Sequence, residues 1–364
     1  MDKYNIAVVH GDGIGPEVCQ SAIEVIKAAL GNRQVLDFVE YPAGANHYLK
    51  TGTAFPDETF EACKRAAAVL HGAAGLPGVT YPDGTEAGLD FGLQLRFRLD
   101  LYANVRPIRL LRGIESPLRR YQPGQIDYII LRENTEGLYA ARGGGNVVRG
   151  EIATDTLVMT RKGVERIVRR AFELARGRNG APRDGKRRVT VCDKSNVLRS
   201  YAFFREIATE TAKDYPDVEL DFALADAMTV HLIHRPDFYD VIVTENMFGD
   251  IISDLGAATV GSMGMSPTAE VGDHNGFFQA AHGSAPDIAG QGIANPFGTI
   301  LAGGMMLKWL GDRHGDQILL DAHRRIETVV DDLIGEGKVL TRDLGGKAST
   351  REVTEAACRA LAVS

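Results

Sequence analysis

The stretch IAVVHGDGIGPEV, residues 6–18, contains the change of local structure that decides the fold class. Its first residues are apolar and mostly β-branched, which is typical of a buried strand, and the glycines that follow indicate a tight turn. Pro16 and Glu17 are residues preferred in the first turn of a helix. A strand that passes through a short turn into a helix begins a βα unit, so the sequence predicts an α/β protein.

The same alternation continues along the chain. Helical periodicity is clearest after Thr160, where apolar residues share one stripe and the basic residues are expected to form a solvated face. Residues 316–335 and 349–362 also predict helices. The runs that predict strands are residues 6–10, 35–41, 67–72, 126–132, 188–193, 218–225 and 239–245. This pattern favours strands joined by crossover helices around a mostly parallel sheet.

Length and composition limit the classes of protein that remain. The 364 residues suggest two domains, or one large α/β unit, at about 150 residues per domain. Hydrophobic residues at 44% and charged residues at 24% exclude wholesale disorder. A net charge of −7 disfavours a nucleic-acid partner. The four cysteines have no metal or disulfide spacing, and neither a secretory signal nor a membrane span is evident, so we expect a soluble, cytoplasmic protein.

The glycine turn after the first strand is not a dinucleotide fingerprint. A G-x-G-x-x-G motif needs a third glycine where Pro16 stands, and no suitable acid follows the second predicted strand. Taken alone, the turn is therefore expected to be structural. Two further glycine-rich stretches, Gly143–Asn146 and Gly72–Gly92, are candidates for ligand-facing loops.

Three aspartates form a candidate metal site. Asp250 and Asp254 are four residues apart, which places both carboxylates on one face of a helix and suits a hard cation. Two acids that stabilise a helix dipole are an equally weighted alternative. Asp226, after an apolar strand, is a third candidate. His231 and His234 are expected to be ordinary helix residues, because no further ligand lies nearby in the sequence.

Several cations lie near the ends of apolar segments. Arg96, Arg106 and Arg132 could each bind an anion, since a guanidinium suits carboxylates, although a single arginine is more often a surface residue. Lys194 follows a predicted strand, where partial burial would lower its pKa toward that of a useful base.

Ordered motifs along nearly the whole chain resemble those of the isocitrate/isopropylmalate dehydrogenase family, the metal-dependent β-decarboxylating dehydrogenases. The motifs are GDGIGPE at 11–17, LYANVRP at 101–107, RENTEG at 132–137, NMFGDIISD at 246–254, HGSAPDIAG at 282–290 with IANP at 293–296, and TRDLGG at 341–346. The resemblance implies a two-domain fold with a mostly parallel sheet that is not a Rossmann fold. It places residues 1–103 and 259–364 in a discontinuous large domain, and residues 104–258 in a small domain that forms a homodimer.

The resemblance also implies roles for site residues. Arg96, Arg106 and Arg132 would bind the substrate's malate carboxylates, and Leu89 would line the pocket for its C3 substituent. Tyr139 would protonate C3 after decarboxylation, and Lys194, reaching across the dimer, would act as the base. The Mg²⁺ or Mn²⁺ ligands would be Asp250 and Asp254 together with Asp226 of the partner subunit, so that the active sites are shared between subunits.

The cofactor implied by the resemblance is NAD⁺. The residues assigned to it are Asn196, His282, Gly283, Ser284, Ala285, Asp287 and Asn295. Asp287 decides the cofactor preference, because a carboxylate can accept hydrogen bonds from both ribose hydroxyls and repels a 2′-phosphate. The expectation is therefore NAD⁺ rather than NADP⁺.

The loop Asp83–Leu95 is expected to select the substrate. Its Glu86 and Leu89 disfavour a third substrate carboxylate, so a 3-alkylmalate, with 3-isopropylmalate first, is the leading expectation. Tartrate, D-malate, homoisocitrate or isocitrate are the alternatives, and a non-catalytic regulatory subunit is a third hypothesis. The chain departs from the isopropylmalate pattern in its RENTEG motif and in Gln279, which replaces a glutamate common in the family.

Overall fold

The computed structural model describes residues 3–82, 84–141 and 144–363. The chain divides into two compact units. The first contains Met1–Asp100, Leu111–Ile114 and Gly261–Ser364, and the second contains Leu101–Leu110 and Glu115–Val260. The resemblance places boundaries at 103/104 and 258/259, whereas the units change at 100/101 and 260/261 and residues 111–114 belong to the first unit.

Helices and strands alternate along most of the chain. The strands are β1 (Tyr4–Gly11), β2 (Leu36–Glu40), β3 (Ala68–Ala73), β4 (Ala103–Arg109), β5 (Asp127–Glu133), β6 (Asn146–Val148), β7 (Ile152–Thr154), β8 (Arg188–Asp193), β9 (Glu219–Leu224), β10 (Val241–Thr244), β11 (Pro267–Val271) and β12 (Gly276–Ala280). The helices are α1 (Gly15–Leu30), α2 (Ala45–Thr51), α3 (Asp57–Arg65), α4 (Asp90–Arg98), α5 (Arg161–Arg176), α6 (Arg199–Thr211), α7 (Ala225–His234), α8 (Asn246–Thr259), α9 (Phe297–His314), α10 (Gln317–Glu336) and α11 (Thr350–Val363).

Each unit has a mostly parallel arrangement of five strands. In the first unit the strand order is β2-β1-β3-β12-β11, and only β11 is antiparallel to its neighbour. In the second unit the order is β4-β5-β10-β8-β9, and only β4 is antiparallel to its neighbour. The mixed α/β fold with a mostly parallel sheet is therefore confirmed. Strands β6 and β7 pair separately as an antiparallel ribbon.

The parallel strands form the core of each unit. Every residue of β3, β8 and β10 is buried, as expected for strands whose two faces are both covered by helices. In the second unit Thr244 of β10 lies beside Arg132 of β5 and Cys192 of β8. The carboxyl ends of these strands therefore meet at one edge, which is where α/β proteins place their ligands.

The predicted local structure is largely present. All seven predicted strands occur, within two residues of the expected bounds, and α1 carries Pro16 in its first turn. Thr160 caps α5, since its side chain accepts a hydrogen bond from the Gly163 amide at 3.0 Å. The predicted solvated face of α5 is present in part, since Arg161 and Lys162 are exposed and Arg161 pairs with Glu210, whereas Arg166 is only 19% exposed. No helix among the described residues has the length and apolar character needed to cross a membrane.

Candidate active site

The glycine turn after β1 is a structural element. Gly11 has φ +75°, and a Cβ there would lie 1.8 Å from the Ala73 carbonyl oxygen, so only glycine fits. The buried Asp12 carboxylate accepts hydrogen bonds from the amides of Ala45 (2.8 Å), Asn46 (2.8 Å) and Gly75 (2.9 Å). These three bonds hold two neighbouring loops against the turn, which confirms the structural interpretation made from the sequence alone.

The segment assigned to the cofactor is fixed to this turn. The Ile14 amide donates to the Ser284 carbonyl at 2.8 Å, and a Cβ on Gly13, whose φ is +55°, would lie 1.9 Å from that oxygen. The Ser284 hydroxyl donates to the Gly75 carbonyl. Two ordered motifs that are distant in sequence, GDGIGPE and HGSAPDIAG, therefore meet in the first unit.

His282 has an unused ring nitrogen in the same segment. Its Nδ1 lies 2.9 Å from the Gly283 carbonyl oxygen. Its Nε2 is inaccessible to solvent and has no hydrogen-bond partner among the described residues. Burial lowers the pKa of His282 below its ordinary value, which favours the neutral ring. A buried polar nitrogen without a partner is what a hydrogen-bonding ligand would satisfy, so this segment fits a bound cofactor.

The other residues assigned to the cofactor differ in their surroundings. Asp287 and Gly283 are exposed, and Ala285 has the unusual φ of +38°. Asn295 donates through its side-chain amide to Asp343 at 2.8 Å and accepts from the Phe297 amide at 2.9 Å, so it connects the IANP and TRDLGG motifs. Asn196 lies in the second unit, exposed in the turn after β8.

Arg96 has an internal partner that the sequence analysis missed. Its Nε and Nη2 donate to the two oxygens of Glu270 at 2.6 and 2.8 Å, forming a bidentate pair. Glu270 is fully buried on β11, and Gln279 on β12 donates to the same carboxylate at 2.9 Å. Gln279 was recognised as a departure from the family pattern, and the structure shows that its amide supports Glu270. No spacing rule connects residues 96, 270 and 279.

The segment expected to be the substrate-selecting loop, Asp83–Leu95, is only partly a loop, because α4 begins at Asp90 and includes its last six residues. Leu89 immediately precedes this helix and is 47% exposed. Glu86 is also exposed and forms an isolated bridge with Thr80. Asp83 lies outside the described residues, as does Gly143 in the other glycine-rich stretch. Leu89 is thus accessible to a ligand, and its assignment to the C3 pocket stays a prediction.

Five of the predicted site residues meet in the second unit. Arg132, at the carboxyl end of β5, donates to Asp250 and, at 2.9 Å, to Asn246. Arg106 on β4 lies 3.5 Å from Asp250 and 3.6 Å from Asp254. The Tyr139 hydroxyl donates to Asp250 at 3.3 Å. We call Arg106, Arg132, Tyr139, Asp250 and Asp254 the arginine–aspartate cluster.

The electrostatics of this cluster follow from burial and neighbouring charge. Arg106 and Arg132 are 6% and 1% exposed. Burial raises the pKa of Asp254, an effect increased by Asp250 and opposed by both arginines. Burial and Asp250 also raise the pKa of Tyr139, which keeps the phenol protonated and able to act as an acid.

The helix-dipole alternative for the two aspartates is not supported. The first turn of α8 is capped by Glu245, whose carboxylate accepts hydrogen bonds from the amides of Met247 (3.0 Å) and Phe248 (2.8 Å). Asp250 and Asp254 lie beyond that turn and face two arginines. Their position therefore favours ligand binding over capping.

Lys194 and Asp226 form a second pair in the same unit. The Lys194 Nζ lies 2.9 Å from an Asp226 oxygen, and the two side chains are 27% and 67% exposed. The hydrogen bond from Lys194 lowers the pKa of Asp226. No group of three metal-ligating side chains occurs among the described residues of one chain. A third aspartate from a partner subunit stays a prediction.

The two helix histidines have ordinary surroundings. The His231 ring nitrogen lies 2.9 Å from the Tyr239 hydroxyl, and burial lowers the pKa of His231. Within the part of the chain that the structure describes, neither histidine belongs to a group of three metal-ligating side chains. Their assignment as ordinary helix residues stays a prediction.

Sequence reasoning also missed the polar residues that support the arginine–aspartate cluster. Asn104, Asn246 and Ser253 are buried and hydrogen-bond to its arginines. All three lie inside motifs that the sequence analysis quoted. Their positions next to charged site residues were the available signal.

Buried Arg132 ends β5 of a mostly parallel sheet and faces Asp250 of α8. The carboxyl edge of such a sheet is where α/β enzymes place their active sites. The chain belongs to the isocitrate/isopropylmalate dehydrogenase family, whose model matches residues 5–357.

Individual relatives match the chain from end to end. A 3-isopropylmalate dehydrogenase from Corynebacterium glutamicum is 41% identical over 98% of this chain and 99% of that protein. A protein from Agrobacterium vitis named as a probable tartrate dehydrogenase/decarboxylase is 41% identical over 100% of this chain and 98% of its own length. The crystal structure of isocitrate dehydrogenase from Methylococcus capsulatus has a TM-score of 0.85 at 36% identity and covers 99% of both chains. These findings support a decarboxylating dehydrogenase.

Proposed function

We propose that the protein catalyses the NAD⁺-dependent oxidative decarboxylation of a 3-substituted malate, with 3-isopropylmalate as the first candidate substrate. The observation that carries this proposal is the arginine–aspartate cluster, which combines buried anion-binding groups, candidate metal ligands and a candidate acid within one unit. The 41% identity to a protein named as a 3-isopropylmalate dehydrogenase supports the choice of substrate.

The charges of the cluster suit a dicarboxylate that binds together with a divalent cation. Two arginines and two aspartates neutralise each other in the structure. The carboxylates of a substrate would replace the aspartates as partners of the two arginines, and a cation would bind the two aspartates. Every buried charge would therefore keep a partner of opposite sign. Asp250 and Asp254 supply the oxygen ligands that Mg²⁺ and Mn²⁺ prefer. The cation, when bound, stabilises negative charge on the substrate oxygen at C2.

Lys194 and Tyr139 are the proposed proton-transfer residues. Lys194 would accept the proton of the C2 hydroxyl. A bound cofactor would supply the hydride acceptor for oxidation at C2, and the resulting β-keto acid would lose CO₂. Tyr139 would then donate its phenolic proton to C3, and its raised pKa keeps that proton on the phenol until this step. Arg106 and Arg132 hold the carboxylates of the malate half in place throughout.

Most of the residues proposed to hold NAD⁺ lie in the segment from His282 to Asp287, and the others are Asn295 and Asn196. The unpartnered Nε2 of His282 and the exposed carboxylate of Asp287 support this assignment. A carboxylate at position 287 favours a ribose with free hydroxyls over one with a 2′-phosphate. We therefore propose NAD⁺ rather than NADP⁺ as the cofactor.

The proposed quaternary state is a homodimer formed through the second unit. Contiguous exposed apolar residues indicate interaction surfaces. Most of the exposed large apolar side chains described in this protein belong to the second unit, namely Val147, Val148, Ile152, Val158, Val197, Leu198, Val230 and Ile251. A dimer would cover them and would bring Lys194 and Asp226 of each chain toward the other.

The same chemistry on tartrate or D-malate is the second candidate. The observation that favours it is the 41% identity to a relative named as a probable tartrate dehydrogenase/decarboxylase. These substrates keep the malate half and replace the alkyl group with a hydroxyl or a hydrogen. The arginine–aspartate cluster would therefore bind them in the same way, and the side chains around Leu89 would decide between them.

A kinetic panel tests the proposal. Purified protein is assayed with Mg²⁺ or Mn²⁺, with NAD⁺ or NADP⁺, and with 3-isopropylmalate, D-malate, tartrate, isocitrate and homoisocitrate. We expect reduction of NAD⁺ with release of CO₂ and the highest kcat/KM for 3-isopropylmalate. A higher kcat/KM for tartrate or D-malate would select the second candidate, and absence of turnover on all five would refute the proposal. The Tyr139→Phe variant, which keeps the ring but loses the acid, is the control for chemistry at the proposed site.

A further inference from the structure

Neutral side chains contribute to the orientation of Arg106. Its Nη1 donates to the Ser253 hydroxyl at 2.6 Å, and its Nε donates to Asn104 at 3.3 Å. Its contacts with Asp250 and Asp254, at 3.5 and 3.6 Å, are longer than a good charge-assisted hydrogen bond. The bond to Ser253 is the shortest of these four contacts and helps to fix the guanidinium.

The Ser253 hydroxyl can serve Arg106 in only one way. It has a single hydrogen, which it donates to the Asp250 carbonyl one turn earlier on α8 at 2.9 Å. A guanidinium only donates, so the hydroxyl oxygen accepts from Arg106. Ser253 is 2% exposed, which excludes water as a competing partner. The hydroxyl is thus a preoriented acceptor on the helix that carries both candidate metal ligands.

We propose that Ser253 is a positioning residue that keeps Arg106 from closing onto Asp254. The Nη1 group of Arg106, which Ser253 holds, lies 3.6 Å from Asp254. Without the hydroxyl it would move toward that carboxylate and form the closer pair that Arg–carboxylate geometry favours. Asp254 would then be masked from a cation, and Arg106 would be turned away from a substrate carboxylate. The hydroxyl of Ser253 therefore keeps an anion site and a cation site available side by side. This inference rests on the proposed function, because it assigns substrate binding to Arg106 and metal binding to Asp254.

The test compares three substitutions in the full-length protein. Ser253→Ala removes the acceptor, and Ser253→Thr retains a hydroxyl that can form the same helix bond. Ser21→Ala is the matched control. Ser21 is also a buried helix serine that donates to its own helix, to the Glu17 carbonyl at 2.9 Å, and accepts from another side chain, Thr354, at 2.9 Å. It belongs to the first unit, whereas the arginine–aspartate cluster belongs to the second.

Two readouts are measured for each protein. The first is the Kd for Mn²⁺ without substrate, from the electron paramagnetic resonance signal of free Mn²⁺, and the second is KM and kcat for the best substrate of the panel. We expect Ser253→Ala to raise both the Mn²⁺ Kd and the substrate KM by about tenfold, the effect of losing one hydrogen bond to a charged group, with a smaller change in kcat. Ser253→Thr and Ser21→Ala are expected to stay within about twofold of the unmodified protein.

Specific outcomes would overturn the proposal. These are an unchanged Mn²⁺ Kd in Ser253→Ala, equal shifts in Ser253→Ala and Ser21→Ala, or no Mn²⁺ binding by the unmodified protein. Should Ser253→Ala fail to fold, Ser253→Cys replaces it, since a thiol keeps the volume but accepts weakly. The Mn²⁺ titration needs no turnover. No turnover in the kinetic panel, with Mn²⁺ binding that Ser253→Ala weakens, would refute the proposed function only. Normal turnover, with an unchanged Mn²⁺ Kd in Ser253→Ala, would refute the Ser253 role only.

Discussion

Replacing Glu270 with alanine is expected to destabilise the protein strongly. The Glu270 side chain is 0% exposed, and its partner Arg96 is 14% exposed. Removing one member of a buried ion pair leaves the other charge unpaired, which costs about 3–5 kcal/mol. Arg96 is partly exposed and can be hydrated in the variant, which favours the lower end of this range of about 3–5 kcal/mol. Gln279 also loses its hydrogen-bond acceptor, which costs about 1 kcal/mol more. We therefore expect a loss of about 3–4 kcal/mol in the free energy of unfolding.

Equilibrium unfolding in urea, followed by circular dichroism, measures this loss. The control is Asp312→Ala, which breaks the ion pair with Lys308 on α9. The Lys308 and Asp312 side chains are 53% and 55% exposed. An exposed pair of this kind contributes about 0.5 kcal/mol. Glu270→Gln, which keeps one acceptor, should fall between the two variants. A Glu270→Ala transition within about 1 kcal/mol of the control, at an unchanged slope, would refute the assignment of Glu270 as an essential buried partner.

Three further predictions concern catalysis, cofactor choice and pH. Lys194→Ala should lower kcat by at least about 100-fold, as loss of a general base does, without changing the elution volume in size-exclusion chromatography; a near-normal kcat would contradict its role. Asp287→Arg should shift the ratio of kcat/KM values toward NADP⁺, because it replaces a repulsive charge with an attractive one, and an unchanged ratio in steady-state assays would exclude position 287 as the selector. Burial raises the pKa of Glu133 to about 7, so the folded state holds a proton that the unfolded chain releases near pH 4.3. This contribution to stability is therefore lost as the pH rises from about 4.3 to 7. The Tm of Glu133→Gln, measured by thermal melts over that range, should change less with pH than the Tm of the unmodified protein.

The sequence predicted the parallel strands because they are buried on both faces. The β8 sequence, RVTVCD, is a nearly continuous apolar and β-branched run, and its bounds agree with the prediction at residues 188–193. The antiparallel strand β4 was missed because its sequence, ANVRPIR, contains a proline and two arginines. Strands β6 and β7 have three exposed residues each, too few for any periodicity to be recognised.

Helix α9 was missed for a related reason. Its sequence, FGTILAGGMMLKWLGDRH, is buried along much of its length and contains four glycines, which lower helix propensity and obscure the amphipathic period. The close approach of Gly303 to Ile26 of α1 explains one of them, because a Cβ there would lie 2.7 Å from the Ile26 side chain. Packing against α1 accounts for Gly303 of α9, and the local sequence pattern therefore does not predict this helix.

The candidate site also combines features that local sequence predicts with features that depend on tertiary packing. The two aspartates of α8 could be placed on one helix face from their spacing alone, and the structure confirms that face. The resemblance added Tyr139, which the structure places beside Asp250. Glu270 could not be predicted, because it lies on a missed strand and its partner Arg96 is 174 residues away. Long-range ionic partners of this kind depend on the assembled sheet.

The bond between Ile14 and Ser284 separates the candidate cofactor segment into two parts with different tolerance to change. Gly13 and Ser284 form an anchor in which an added methyl group has no room, whereas Pro286 and Asp287 are exposed. Substitutions intended to change cofactor preference should therefore be tolerated better at exposed positions after Ser284, such as 286 and 287. Substitutions at residues 11–15 would instead disturb the candidate cofactor segment through the contacts of Gly13 and Ile14 with Ser284, although these residues lie far from it in the sequence.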